Sequence, residues 1–167
     1  KTNKSLVEQI NKISKRATFV FKNNEIKEKQ KRIRNSTSKT KELDSIGVSL
    51  TMSSGYKLFK KGNSNKFWFQ RETKKGSVNI LVYTLPLFEK NPDLDRIIFL
   101  RDSIGKVFVP GRNKDSYLIT EEAYRPYFFK TKVNSLNAFE TRGTWEVVND
   151  YMAGPFLNYY IKDSKNN

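Results

Sequence analysis

Arg142-Gly143-Thr144-Trp145, followed by Asn149-Asp150-Tyr151-Met152 and then Ala153-Gly154-Pro155-Phe156, is the stretch with the most chemical content in the chain. An arginine near an indole can hold an anion, because the guanidinium fork matches a carboxylate or phosphate and stacks on an aromatic face. The same arginine can instead pair with a buried acid, for which Asp102 and Glu72 are the candidates, and its role is then structural. Arg142 and Trp145 stand three residues apart, so a regular strand sends them to opposite faces. A bulge at Gly143 would bring them to one side, and that bulge is expected. Ala153-Gly154-Pro155 reads as a tight turn before the last strand.

Other chemistries are limited by residue type. The chain has no Cys and no His. Thiol nucleophiles, zinc sites with nitrogen or sulfur ligands, haem held by His and imidazole-based triads are therefore excluded. A carboxylate pair for glycoside hydrolysis could be drawn from Glu72, Asp102, Glu140, Glu146 and Asp150. Glu121-Glu122 reads as a solvated turn. Gly62, Gly76 and Gly111 stand alone, so there is no glycine-rich phosphate loop; no cofactor and no metal are expected. Phe67-Trp68-Phe69 beside Arg71, Lys74 and Lys75 has the composition of a platform for single-stranded nucleic acid. Alternation sends Phe67 and Phe69 one way and Trp68 the other, and burial of both sets is the simpler reading.

These residues need a framework. Ser5 with Glu8 forms a capping-box pattern, and Leu6, Ile10 and Ile13 share a helical face, which predicts a first helix over 6–16. Phe19, Ile26 and Ile33 recur at intervals of seven and predict a second, narrowly amphipathic helix to about 35, with a short strand over 18–21 as the alternative. Residues 36–45 either extend that helix or stay mobile. From Gly47 the period changes to two: a strand is predicted over 48–52, and 66–72 with 77–84 form a hairpin around Lys74-Lys75-Gly76. Asn91-Pro92-Asp93 opens a helix over 92–104 that Gly105 closes. Strands follow over 107–109, 116–120, 126–133, 136–148 and 155–161. The expected fold class is α+β, a mainly antiparallel sheet with helices on one face, with a basic helical region over 1–46 and the sheet domain over 47–167.

Composition bounds the class of partner. In 167 residues, 12 Phe, 8 Tyr and 2 Trp exclude a disordered chain. Residues 1–75 hold 20 Lys and Arg against 6 Asp and Glu, a net +14, whereas 76–167 hold 12 against 11. A basic half joined to a neutral half suits phosphate-rich surfaces, whether nucleic acid or anionic lipid. The basic surface is expected at Lys27, Lys29, Lys31, Arg32 and Arg34. A solvated helix pair would carry the same charge without any partner.

Several short motifs resemble one family. They are Gly55-Tyr56-Lys57-Leu58, Phe67-Trp68 with Arg71-Glu72-Thr73, Ile80-Leu81-Val82-Tyr83, Arg101-Asp102-Ser103, Val109-Pro110-Gly111, Ser116-Tyr117, Arg142-Gly143-Thr144-Trp145, and Asn149 to Phe156. In order and spacing they are similar to an uncharacterised family of Bacteroidetes-type cell-envelope lipoproteins assigned to a domain of unknown function, of which this would be a C-terminal portion. The family tends to have two glycines before the proline, where this chain has Ala153-Gly154. The resemblance implies export, a periplasm-facing location and anchoring through a lipidated N-terminus that this chain lacks. It implies no activity.

The combined expectation is a non-enzymatic envelope domain that binds a protein partner, an acidic envelope polymer or a membrane surface. Candidate binding residues are Arg142, Trp145, Asn149, Asp150, Arg71, Arg101, Asp102 and Tyr117. A nucleic-acid-binding module using the basic helices and sheet aromatics is the alternative, followed by a carboxylate-dependent glycan hydrolase.

Overall fold

A computed structural model describes residues 3–34, 37–63, 65–86 and 91–163. The chain is α+β: an N-terminal helix, then a mostly antiparallel β region. It divides into two compact units, Lys1–Thr84 and Leu85–Asn167.

In the first unit, α1 (Asn3–Arg34) is one continuous helix. The expected break at Ala17-Thr18 is absent. No Gly or Pro interrupts 3–34, and a β-branched or aromatic residue costs a helix at most about 0.7 kcal/mol. β1 (Thr37–Lys39) and β2 (Thr51–Ser53) pair antiparallel across a 3₁₀ turn, Lys41–Ile46, so residues 37–46 neither extend the helix nor lack structure. Gly47, in the left-handed region at φ 65°, ends that turn by donating its N–H to the Asp44 carbonyl.

A meander follows: β3 (Lys57–Gly62), β4 (Lys66–Thr73) and β5 (Gly76–Tyr83), with β4 in the middle. β3 was not expected, because Lys57-Leu-Phe-Lys-Lys-Gly does not alternate cleanly. Its register against β4 slips between Leu58 and Lys60. Phe67 and Phe69 point into a core with Leu43 and Met52. Leu43, in the 3₁₀ turn, is fully buried, whereas the apolar side chains of α1 from Leu6 to Ile26 are exposed. Trp68 occupies the other face against Phe59, at 4.7 Å between ring centroids, and its Nε1–H donates to Asn79 Oδ1 at 2.8 Å. Both sets of β4 aromatics are therefore buried, and they provide no stacking platform for bases.

In the second unit, α2 (Leu94–Phe108) is capped by Asp93, whose side chain accepts the Arg96 N–H at 2.8 Å. The helix runs through Gly105 and takes in Val107 and Phe108, which had been read as strand. β6 (Leu118–Thr120), β7 (Tyr127–Val133), β8 (Leu136–Val147) and β9 (Ala153–Ile161) form one antiparallel sheet. The long β8 is central, with β9 along one edge and β7 and then β6 end to end along the other.

Candidate functional site

The β8–β9 register runs unbroken from Ala138↔Ile161 to Glu146↔Ala153, so Gly143 is not a bulge. Arg142 and Trp145 consequently lie on opposite faces. The glycines serve packing instead. A Cβ on Gly143 would stand 2.8 Å from the Phe156 ring, and one on Gly154 would stand 2.9 Å from the Trp145 indole. Each glycine makes room for the aromatic directly across the ladder.

On the face carrying Trp145 and Phe156, the Arg101 guanidinium of α2 lies 4.0 Å from the Phe156 ring centroid. It donates to Asp102 Oδ1 at 2.9 Å and to Thr120 Oγ1 at 2.8 Å. Asp102 Oδ1 also accepts the Thr120 N–H and hydroxyl, both at 2.8 Å. Arg101 and Asp102 thus fasten the helix to β6. Tyr117 packs under Lys106, whose Nζ is 5.1 Å from the ring centroid. At the β8–β9 turn, Asp150 receives Arg112 through Nε at 3.2 Å and Nη2 at 3.1 Å, while Asn149, at φ 58°, offers its carbonyl to Asn113 Nδ2. Arg112 holds the Asp150 carboxyl below the usual carboxylate range, and the Tyr151 N–H acts in the same direction.

Arg142 pairs with neither Asp102 nor Glu72. Its partner is Glu140, two residues back on the same face, with Nε to Oε1 at 2.6 Å. The other Glu140 oxygen accepts the Tyr159 hydroxyl at 2.7 Å. The carboxylate side chain is 10% exposed and the arginine 61%, so the pair is a buried anion capped by a solvent-facing cation. Burial, and then the bonded Glu140 carboxylate, push the Tyr159 phenol up from its ordinary value of 10.0. The unfolded chain gives up this proton first as pH rises. The contribution to stability is therefore complete below about pH 10 and is lost as pH climbs through the folded value. Tyr160 is shifted the same way by burial. Tyr159→Phe is expected to flatten part of the alkaline decline in melting temperature. A decline as steep as that of the wild type would show that the phenol does not contribute.

The carboxylates proposed for hydrolysis are thus largely engaged. Asp102, Glu140 and Asp150 serve as structural acceptors, and Glu140 and Glu146 lie six residues apart on one strand, about 20 Å. A glycosidase pair needs roughly 5–9.5 Å. Among the described residues no group of three or more Asp, Glu, His or Cys could hold a metal ion.

Arg71 belongs to the first unit and lines a cavity of about 510 Å³ with Arg32, Ser53, Thr51 and Tyr56 over an apolar floor of Ile33, Leu50, Met52 and Ile80. Its guanidinium lies 5.2 Å from the Tyr56 ring centroid, and its Nε–H is enclosed with no hydrogen-bond partner. Gly55 lets the arginine stem lie close, since a Cβ there would be 3.0 Å from Arg71 Cδ. Among the described residues no acidic side chain lines the cavity. Of the basic residues on α1, Arg32 reaches this cavity, Lys29 pairs with Glu25 and Lys31 with Glu28, each at 2.7 Å, and Lys27 is exposed. The side chain of Arg34 lies outside the described residues.

Sequence reasoning missed Tyr56, Ser53 and Thr51 as neighbours of Arg71, and Tyr159 as the second ligand of Glu140. For Tyr56 a signal existed, since Gly55-Tyr56 and Arg71 both fall in the motifs that carry the family resemblance.

No curated protein and no solved structure matches the chain. The motifs that converge beneath α2, at the β8–β9 turn and around Arg71 all fall within residues 35–167, and that segment as a whole matches a family model. The chain accordingly belongs to the family described as Domain of unknown function (DUF4837).

Proposed function

We propose that this is a non-enzymatic, periplasm-facing domain of the cell envelope that binds an acidic group, a phosphate or carboxylate of an envelope polymer, in the Arg71 cavity. Anchoring of the full-length protein through a lipidated N-terminus is part of this reading and comes from the family resemblance. The observation that carries the binding site is the enclosed Arg71 Nε–H, which has no hydrogen-bond partner in a cavity also lined by Thr51, Ser53 and Tyr56. An enclosed guanidinium N–H without an acceptor costs about 1–3 kcal/mol, and an anion bound there by Arg71 would bring charge-assisted bonds to the same group. The Tyr56 ring, against which the planar guanidinium lies, orients it.

The test is titration of the chain with inorganic polyphosphate and with polyglutamate at physiological salt. Arg71→Met is expected to weaken binding about tenfold, the loss of one good charge-assisted contact. Arg71→Lys keeps the charge without the fork and should fall between the two. Lys27→Met, on the exposed face of α1, should change affinity less than twofold because its charge is screened. Equal effects of Arg71→Met and Lys27→Met would show diffuse charge and no site.

A further inference from the structure

The N-terminal two thirds of α1 has an uncovered apolar stripe. At 3.6 residues per turn, Leu6, Val7, Ile10, Ile13, Val20 and Phe21 fall within about 140° of the helix circumference. Their exposures are 53%, 55%, 55%, 67%, 47% and 74%. Lys4, Lys12, Lys15, Arg16 and Lys22 fall on the opposite half, with Glu8 the one acid before Glu25. Phe19, also exposed, lies on the basic side. The helix meets the rest of its unit at the other end, where Arg32 and Ile33 line the cavity with Leu50 and Met52.

We propose that residues 3–24 of α1 form an interfacial helix that lies on an anionic lipid bilayer, with the Leu6–Phe21 stripe in the headgroup–acyl boundary and the lysines toward phosphate. Charge complementarity chooses this occupant. The helix carries ten Lys and Arg against three Glu, a match for an anionic surface and a source of repulsion against a second copy. No helix among the described residues is long and apolar enough to cross a membrane. A moderately apolar stripe opposite a basic face is the arrangement for lying in the interface plane. The site is separate from the Arg71 cavity, and it adds a hydrophobic component that a purely ionic contact lacks.

The experiment is flotation of the 167-residue chain with vesicles of phosphatidylcholine alone or with phosphatidylglycerol added. The chain should float with the mixed vesicles and not with the neutral ones, and part of the binding should survive raised salt. Ile10→Asp/Ile13→Asp, at exposed positions that keep the helix, should reduce binding at least about tenfold. Arg71→Met should leave it unchanged. The proposal fails if the double aspartate variant floats like the wild type, or if Arg71→Met alone abolishes flotation, which would place lipid in the cavity. It also fails if the wild type sediments as a dimer that the double variant converts to monomer, because Leu6, Ile10, Ile13, Ala17, Val20 and Asn24, spaced by four and three, would then be a coiled-coil seam.

Discussion

Phe67→Ala is expected to cost about 3–5 kcal/mol, a large part of the 5–15 kcal/mol that holds an ordinary domain together. Phe67 has no exposed surface and sits on β4, the middle strand of the meander, where it contacts the same core as Leu43, Met52 and Phe69. Among the described residues the buried cluster has only three other members, Leu43, Met52 and Phe69, so few buried side chains are at hand to refill the void. Strand pairing further limits collapse, because Phe67 is held opposite Lys61 on β3 and Val82 on β5. Urea unfolding of the full chain measures the loss. Val78→Ala is the control, since this residue is 42% exposed at the far end of β5 and should cost well under half as much. A loss at Phe67 below about 1 kcal/mol would mean that the core is not centred on β4.

The period-two pattern and turn chemistry made much of this architecture readable. Residue types that favour strands and the Lys74-Lys75-Gly76 turn placed the β4–β5 hairpin within a residue or two, and the Asn91-Pro92-Asp93 start placed α2. What failed has identifiable causes. Thr18-Phe19-Val20-Phe21 suits a strand by type, but continuous backbone bonding through a stretch without Gly or Pro prevailed, and α1 ran on to Arg34. Gly105 looked like a helix stop because glycine usually ends helices, whereas here it is buried inside one. Gly143 looked like a bulge because glycine often marks one, yet its missing side chain makes room for Phe156 across the ladder.

The candidate sites were legible as residues and not as partnerships. Arg142 does pair with an acid, although it is the carboxylate and not the guanidinium that is buried. The acid proved to be Glu140, which shares its face at a spacing of two, rather than Asp102 or Glu72. Asp102 was already committed to Thr120 and Arg101, a contact that joins a helix to a strand 18 residues later and leaves no local trace in sequence. Arg71 was flagged through its motif, but its cavity depends on Tyr56 and on Arg32 from α1, neither of which any periodicity links to it.

Gly105→Ala is expected to be among the most damaging single changes in the second unit, although it adds one methyl group and raises helix propensity. A Cβ at this position would lie 2.3 Å from the Leu118 carbonyl oxygen and 3.2 Å from its carbon, which is backbone against side chain with no flexible group to yield. Leu118 cannot retreat easily, because β6 is held to β8 by the pairs Leu118↔Val147, Ile119↔Glu146 and Thr120↔Trp145. The helix must therefore move outward. Doing so stretches Arg101 and Asp102 away from Thr120, whose N–H and hydroxyl both depend on Asp102. Overpacking alone costs about 1–3 kcal/mol, and each lost bond to a charged group adds roughly 1.5–3 kcal/mol. The gain in helix propensity returns only about 1 kcal/mol. A thermal melt reads the total, and hydrogen exchange locates it: amides of residues 118–120 should lose protection while those of 157–161, on the far edge of the sheet, lose less. Wild-type stability in Gly105→Ala would show that α2 does not approach β6 this closely.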